Sequence, residues 1–252
     1  MNQYCIGRIV GNDLPPRHGQ NQTYLNLKFI LENEVNFENC TKLWIVNRII
    51  NRESEASILE LLVKHGQPFI HLPFELKSYD LSWDFNQKLN YIIQLNHARN
   101  ILIAEGKRKA KWTVLADGGI FFPSIGWENI HKESKVNSEG FFKITVYRLM
   151  KSNMEVFGFN ACNYQVENEQ MIALSVSSDI RFDETVAYGR NEKKILLQQY
   201  PDASITDFCL RLCDLSKFGF IKELRSVQRY TAMENLVNLV DQMHAEKQWK
   251  ND

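Results

Sequence analysis

The sequence predicts an α/β protein: a mostly parallel, doubly wound sheet with helices on both faces and a smaller antiparallel element in the second half. Three observations carry that class. Short apolar runs alternate with amphipathic helical stretches across residues 4–123, with short connections, as parallel strands linked by crossover helices do. After Pro123 the crossovers stop, and two long apolar runs follow with only an irregular stretch between them. The composition, 252 residues of which 44% are hydrophobic and 24% charged, supports a sizeable core and excludes wholesale disorder.

The elements follow in order. Residues 4–10 read as a buried strand that ends at Gly11-Asn12-Asp13 and a stiff Leu-Pro-Pro-Arg-His-Gly loop. Residues 21–34 carry Tyr24, Leu27, Phe29, Ile30 and Leu31 at helical spacing. Residues 42–46 are a second strand that ends on Asn47-Arg48, and 53–65 a helix stopped by Gly66. Residues 68–72 form a short third strand, 84–105 one long helix, and 111–116 a fourth strand running into Asp117-Gly118-Gly119. Beyond Pro123 the pattern predicts a helix over 127–136, strands over 141–149 and 170–176, and helices over 191–199, 205–215 and 231–249. No repeat or Gly/Ser linker divides the chain. It reads as one domain, with a first half (1–123), a second half (124–230) and a C-terminal amphipathic helix (231–250). Met233, Leu236, Val237, Val240, Met243 and His244 form an apolar stripe on that helix, which either closes the second half or pairs with a second subunit or a neighbouring module of a larger assembly.

Thirty basic against thirty acidic residues leave no net charge, which removes the usual electrostatic reason to bind nucleic acid or an anionic membrane. The longest apolar runs, such as 69–72 and 101–104, are far too short to span a bilayer. The first residues lack the charged-then-apolar order of a secretory leader, so a cytoplasmic protein is expected. Cys5, Cys40, Cys162, Cys209 and Cys213 are an odd, scattered set that reads as free thiols. Cys209 and Cys213 share a face if their segment is helical, but no second Cys/His pair stands nearby to complete a zinc site.

Ligands of open parallel sheets bind beyond the carboxyl ends of the strands. Asn12 and Asp13 follow the first strand, Asn47 and Arg48 the second, and Asp117, Gly118 and Gly119 the fourth. Amide, guanidinium and carboxylate groups on one edge suit a base, a ribose and a pyrophosphate; any one of these sites alone reads first as an ordinary loop, and their coincidence on one edge points to a binding site. Arg8 within the first strand and Arg17 on the stiff loop join this set. Asp117, with two glycines that let a ligand approach, suits a divalent cation bridging to phosphate oxygens.

The context of Asp117 adds a family. Asn96-His97-Ala98-Arg99-Asn100 lies on a helix, and Arg99 stands 18 residues before Asp117. That order resembles the nucleotide-sugar glycosyltransferases of the GT-A fold, including the inverting family 2, with an Ala-Arg-Asn on a helix and an Asp-x-Asp about a strand later. The resemblance covers residues 4–123 and implies binding roles for Asn96, Arg99 and Asn100, a nucleoside diphosphate donor such as a UDP-sugar, and Mn²⁺ or Mg²⁺. The chain has Ala-Asp-Gly-Gly where the family has Asp-x-Asp. Matched to the last aspartate, Asp117 ligates the metal; matched to the first, it addresses the ribose and metal-bound water.

An inverting enzyme also needs a base for the acceptor hydroxyl. Asp179, Asp183 and Glu184 follow the strand at 170–176 and are ranked in that order, against the reading of a solvated acidic turn. The acceptor implied is a saccharide or lipid-linked saccharide of surface polysaccharide or glycan synthesis. The basic run 106–111 reads as a solvated helix end, with an anionic lipid-linked acceptor as the alternative partner, and Phe121, Phe122 and Trp127 either stack on a sugar or fill the core. Two other classes stay open: a nucleotidyltransferase, for which the loop after the first strand is a poor match, and a non-catalytic nucleotide- or sugar-binding module.

Overall fold

The computed structural model describes residues 1–160, 164–167, 169–189, 192–213 and 225–249; Cys162 and Asn191 lie outside them. The strands are β1 (Asn2–Val10), β2 (Cys40–Asn47), β3 (Phe69–Leu72), β4 (Ala110–Asp117), β5 (Ile120–Phe121), β6 (Phe141–Arg148), β7 (Gln165–Val166), β8 (Met171–Ser175) and β9 (Ile205–Arg211). The helices are α1 (Gln22–Asn33), α2 (Arg52–Lys64), α3 (Phe85–Ile93), α4 (Leu95–Lys109), α5 (Ser124–Val136), α6 (Glu192–Gln198) and α7 (Arg225–Trp249).

Both halves of the chain build one sheet in the order β3-β2-β1-β4-β8-β6-β9-β5, with β7 beside β6. β3, β2, β1 and β4 run parallel, joined by helices as the alternation requires. β8 then pairs antiparallel with both β4 and β6, and β9 runs parallel to β6. This arithmetic of directions fixes everything that follows. The carboxyl ends of β1, β2, β4, β6 and β9 share one edge of the sheet with the start of β8, while the end of β8 lies on the other.

Successive residues of each central strand enter different cores. Cys5, Leu43 and Ile45 pack with Ala98, Leu102 and Ile103 of α4, whereas Tyr4 and Ile6 face Trp127 and Ile130 of α5. Trp44 and Val46 face Leu27 and Ile30 of α1 with Ile58 and Leu62 of α2. The α4 side is unusually close because glycine faces a side chain twice. A Cβ on Gly7 would stand 2.5 Å from Leu102, and one on Gly106 would stand 2.4 Å from Thr113.

Three elements depart from the sequence reading. The long helix at 84–105 is two, α3 and α4, parted at Gln94, whose backbone is left-handed at φ 41° and ψ 43°. The break turns α3 off the sheet, where Leu89 and Ile92 meet Leu236, Val237 and Val240 of α7. The apolar stripe of α7 is thus covered within the chain, mainly by the first half, with Tyr188 of the second half packed against the same cluster; Asp241 adds Tyr79 Oη at 2.6 Å and Lys88 Nζ at 2.9 Å. The third departure is β9. Residues 205–211 are a strand, and Thr206 and Cys209 are buried while Ile205 and Asp207 are exposed. A β-branched pair followed by Phe208 was the strand signal there. Cys209 and Cys213 are accordingly free buried thiols and not a helical pair, and burial pushes Cys209 up to about 12. Among the described residues, no helix is long and apolar enough to cross a membrane.

Candidate functional site

A cavity of about 890 Å³ opens at the shared edge. Its floor is the ends of β1, β2 and β4, and its far wall carries Arg148 from β6, Glu169 and Gln170 before β8, and Arg211 from β9. Lys193 of α6 and Arg229 of α7 close it from above.

Asp117 is the centre of the charge. Its Oδ1 accepts from Lys193 Nζ at 2.8 Å, its Oδ2 accepts from Arg211 Nη2 at 3.0 Å, and Arg99 Nη2 stands 4.0 Å from Oδ1. Lys193 and Arg211 also reach Glu169, at 3.5 Å and 3.7 Å, and Arg211 Nε lies 3.5 Å from Glu167. Glu167 in turn pairs with Arg148. Burial opposes the charge on Asp117, but Lys193, Arg211 and Arg99 outweigh it and hold the carboxyl well below the usual carboxylate range. For Glu169 burial again opposes the charge, and Lys193 is the main group that lowers its value. Arg211 is raised because Glu167, Asp117 and Glu169 together overcome its burial. His18, on the cavity wall, accepts the Leu14 N–H at Nδ1 and is pushed down to about 3 by burial and by Arg17, Arg211 and Arg148.

The residues expected from the sequence divide. Asp117, Gly118, Gly119, Arg99, Asn12, Asn47 and Arg17 line the cavity. Arg99 is held over the Phe182 ring at 4.8 Å and donates to Asn96 Oδ1 at 2.9 Å. Asn47 donates to the Ile93 carbonyl at 2.6 Å, while its buried Oδ1 has no partner among the described residues. Asn12 ties two loops together, donating to Arg48 O and accepting from Ile50 N, both at 2.8 Å. Gly118 serves the fold: a Cβ there would stand 2.6 Å from the Ile9 carbonyl, so its missing side chain makes room for β1.

The others face elsewhere. Arg8 is a core residue with no exposure, paired to Glu34, donating to Ile120 O and lying over Trp44 and Phe122. Asp13 caps the start of α1 by accepting from Thr23 N and Oγ1 at 2.8 Å and 2.7 Å. Arg48 donates to Tyr91 O at 2.6 Å and stacks on that ring. Asn96 and Asn100 clamp the segment after β8 to α4, donating to Asp183 O at 2.6 Å and Phe182 O at 2.9 Å.

The three acids proposed as the base do not line the cavity. Asp183 and Glu184 lie against the N-terminal part of α4 on the chain's way back, whereas β8, being antiparallel, delivers Asp179 to the opposite edge. Asp179 is exposed there beside Lys107. Asp183 accepts from Thr185, and Glu184 is held by Asn100 and His97. Both carboxyls are lowered, mainly by the Thr185 and Asn100 hydrogen bonds respectively. The carboxylate that the topology does bring to the site is Glu169, at the start of the same strand. Glu169, Lys193, Arg148 and Arg211 escaped the sequence reading. The only trace of Arg211 was its place at the end of an alternating run.

A divalent cation does not fit this donor set as it stands. Each oxygen of Asp117 already holds a cationic side chain, and among the described residues no three His, Cys, Asp or Glu gather as a metal site needs.

No protein-family model and no curated protein matches the chain. Solved structures do. A structure of S. aureus TarS (residues 1–349) is 7% identical, with 83% of this chain and 60% of that one covered at a TM-score of 0.50. Glucosyl-3-phosphoglycerate synthase from Mycobacterium tuberculosis, in complex with Mn²⁺, UDP and glucosyl-3-phosphoglycerate, is 10% identical over 94% of this chain and 80% of that one, TM-score 0.47. A CMP:2-keto-3-deoxy-manno-octonic acid synthetase complexed with CTP is 8% identical over 96% and 99%, TM-score 0.41. The chain spans 36% and 60% of the two TarS structures that it matches. The fold is GT-A-like, as its first half resembles.

Proposed function

We propose that this chain is a glycosyltransferase that moves a sugar from a nucleoside diphosphate donor, a UDP-sugar, to a hydroxyl of a saccharide acceptor. The observation that carries this reading is the cluster of Arg99, Lys193 and Arg211 around Asp117 in a large cavity at the carboxyl edge of β1, β2 and β4. Four cations, Arg99, Arg148, Lys193 and Arg211, meet three carboxylates there, Asp117, Glu167 and Glu169, so the cluster has positive charge to spare for a diphosphate. Asn47 Oδ1, a buried acceptor on the same wall, supplies a partner for a base N–H.

In the reaction the acceptor oxygen forms a bond to the anomeric carbon as that carbon's bond to the β-phosphate oxygen breaks. The electron pair leaves on the diphosphate, and the acceptor proton passes to Glu169, the carboxylate open to the cavity beside Asp117. One displacement inverts the anomeric centre.

The test is calorimetric titration with UDP, GDP and CDP, followed by assays of UDP-sugar hydrolysis. Micromolar binding of UDP with slow release of free sugar is expected. Silence with all three nucleotides sinks the reading, and pyrophosphate release from a nucleoside triphosphate and a sugar replaces it with a nucleotidyltransferase.

A further inference from the structure

We infer that the charge neutralising the donor's leaving diphosphate is carried by Lys193 with Arg211, and that Asp117 holds those two cations in place instead of a divalent metal. The inference rests on the donor reading above and adds which group does the electrostatic work.

Lys193 is the residue that makes the case. It sits in the first turn of α6, only 4% exposed, and its ammonium touches Asp117 Oδ1 at 2.8 Å, Glu169 at 3.5 Å and Met171 Sδ at 3.4 Å. A buried cation requires charged partners, and two carboxylates surround this one. Arg211 occupies the other oxygen of Asp117 from the opposite side, at 3.0 Å. A metal entering at Asp117 would have to expel both cations and then sit among Arg99, Arg148 and the pair it displaced. A diphosphate meets no such obstacle: its oxygens draw the ammonium and guanidinium partly off Asp117 and Glu169, exchanging one set of charge-assisted hydrogen bonds for another. Asp117 keeps 28% of its side chain open to the cavity, so the exchange happens at a wetted face and not in a sealed core.

The wild-type chain is titrated with UDP and with UMP, once in EDTA and once with Mn²⁺, and Lys193→Met and Lys193→Arg are titrated in EDTA. Manganese binding is followed in parallel by electron paramagnetic resonance. The inference expects UDP to bind in EDTA with an affinity within about threefold of that in Mn²⁺. It also expects Lys193→Met to weaken UDP about tenfold or more, with UMP unmoved and Lys193→Arg largely restored. UDP binding that requires Mn²⁺, with a bound-manganese signal lost in Asp117→Asn, overturns the inference and leaves the donor reading standing. Absence of UDP binding under every condition overturns both. Should Lys193→Met fail to fold, the chelator arm on the wild-type chain still decides.

Discussion

Arg8 and Arg211 are both strand arginines paired to buried glutamates, yet one is mortar and the other machinery. Around Arg8 the contacts are closed in the core. Glu34 accepts from Arg8 and from the Phe122 N–H at 2.8 Å, Lys42 Nζ lies 3.1 Å from its second oxygen, and two aromatic rings cover the guanidinium. The network pins the segment after Asp117 to β1 and α1, and Arg8, Glu34 and Lys42 do not line the cavity at the sheet edge. Around Arg211 the carboxylates are shared among several cations and one side is open. A buried ion pair alone says nothing about function; a shared one beside a void does.

Breaking the closed network has the largest effect on stability. Arg8→Met leaves buried Glu34 with only Lys42 and the Phe122 N–H and costs about 3 kcal/mol, read from urea unfolding, with UDP affinity of the folded protein unchanged. A loss below about 1 kcal/mol would remove the distinction. The open network loses less stability and more chemistry. Asp117→Asn lowers turnover about 100-fold and stability by about 1–3 kcal/mol. Its pH signature has a definite sign. The folded carboxyl lies below its unfolded value, so its stabilisation is full above about pH 4 and shrinks as pH falls towards the folded value. Acid titration of stability should therefore be flatter in Asp117→Asn than in the wild type.

A pair of variants sharpens the contrast between the two edges of the sheet. Glu169→Gln should lower kcat by about 100-fold with UDP affinity nearly constant, while Asp179→Asn leaves both within about twofold and stability within about 0.5 kcal/mol. Equal losses in the two variants would contradict the placement of the base. The smallest effect near neutral pH is at His18. The folded imidazole titrates at about 3, so from about pH 6.5 downward the unfolded chain takes up a proton that the folded one refuses, and stability falls with it. UDP should shift the His18 resonance titration upward, because its phosphates offset the field of Arg17, Arg211 and Arg148.

What was legible in the sequence is what local pattern encodes. β1, β2 and β4 end in polar residues, so their shared edge, and Asp117 on it, could be read directly. The second half of the site could not, because it depends on strand direction. Asp179 and Glu169 flank the same strand, and only the pairing of β8 with β4 decides which of them meets Asp117. Arg211 was hidden because residues 205–215 satisfy a helical period as well as an alternating one, and pairing with β6 settles it. Asn96 and Asn100 illustrate the converse: a motif read as ligand-binding instead clamps the segment after β8, leaving Arg99 alone of the three in the cavity with its charge.

The walls of the cavity also set a schedule. A chain emerging from the ribosome owns Ile9, Asn47 and Asp117 early, but Lys193, Arg211 and Arg229 arrive last, and α7 must fold back onto α3 to bring Arg229 overhead. Asn235 completes that return by reaching the Pro15 carbonyl at 3.4 Å. These closures join segments separated by most of the chain, the slowest contacts for a polypeptide to find. Until they form, Asp117 sits on an unfinished sheet with Arg99 alone of its cations, and a truncated translation product carries the aspartate without Lys193 and Arg211.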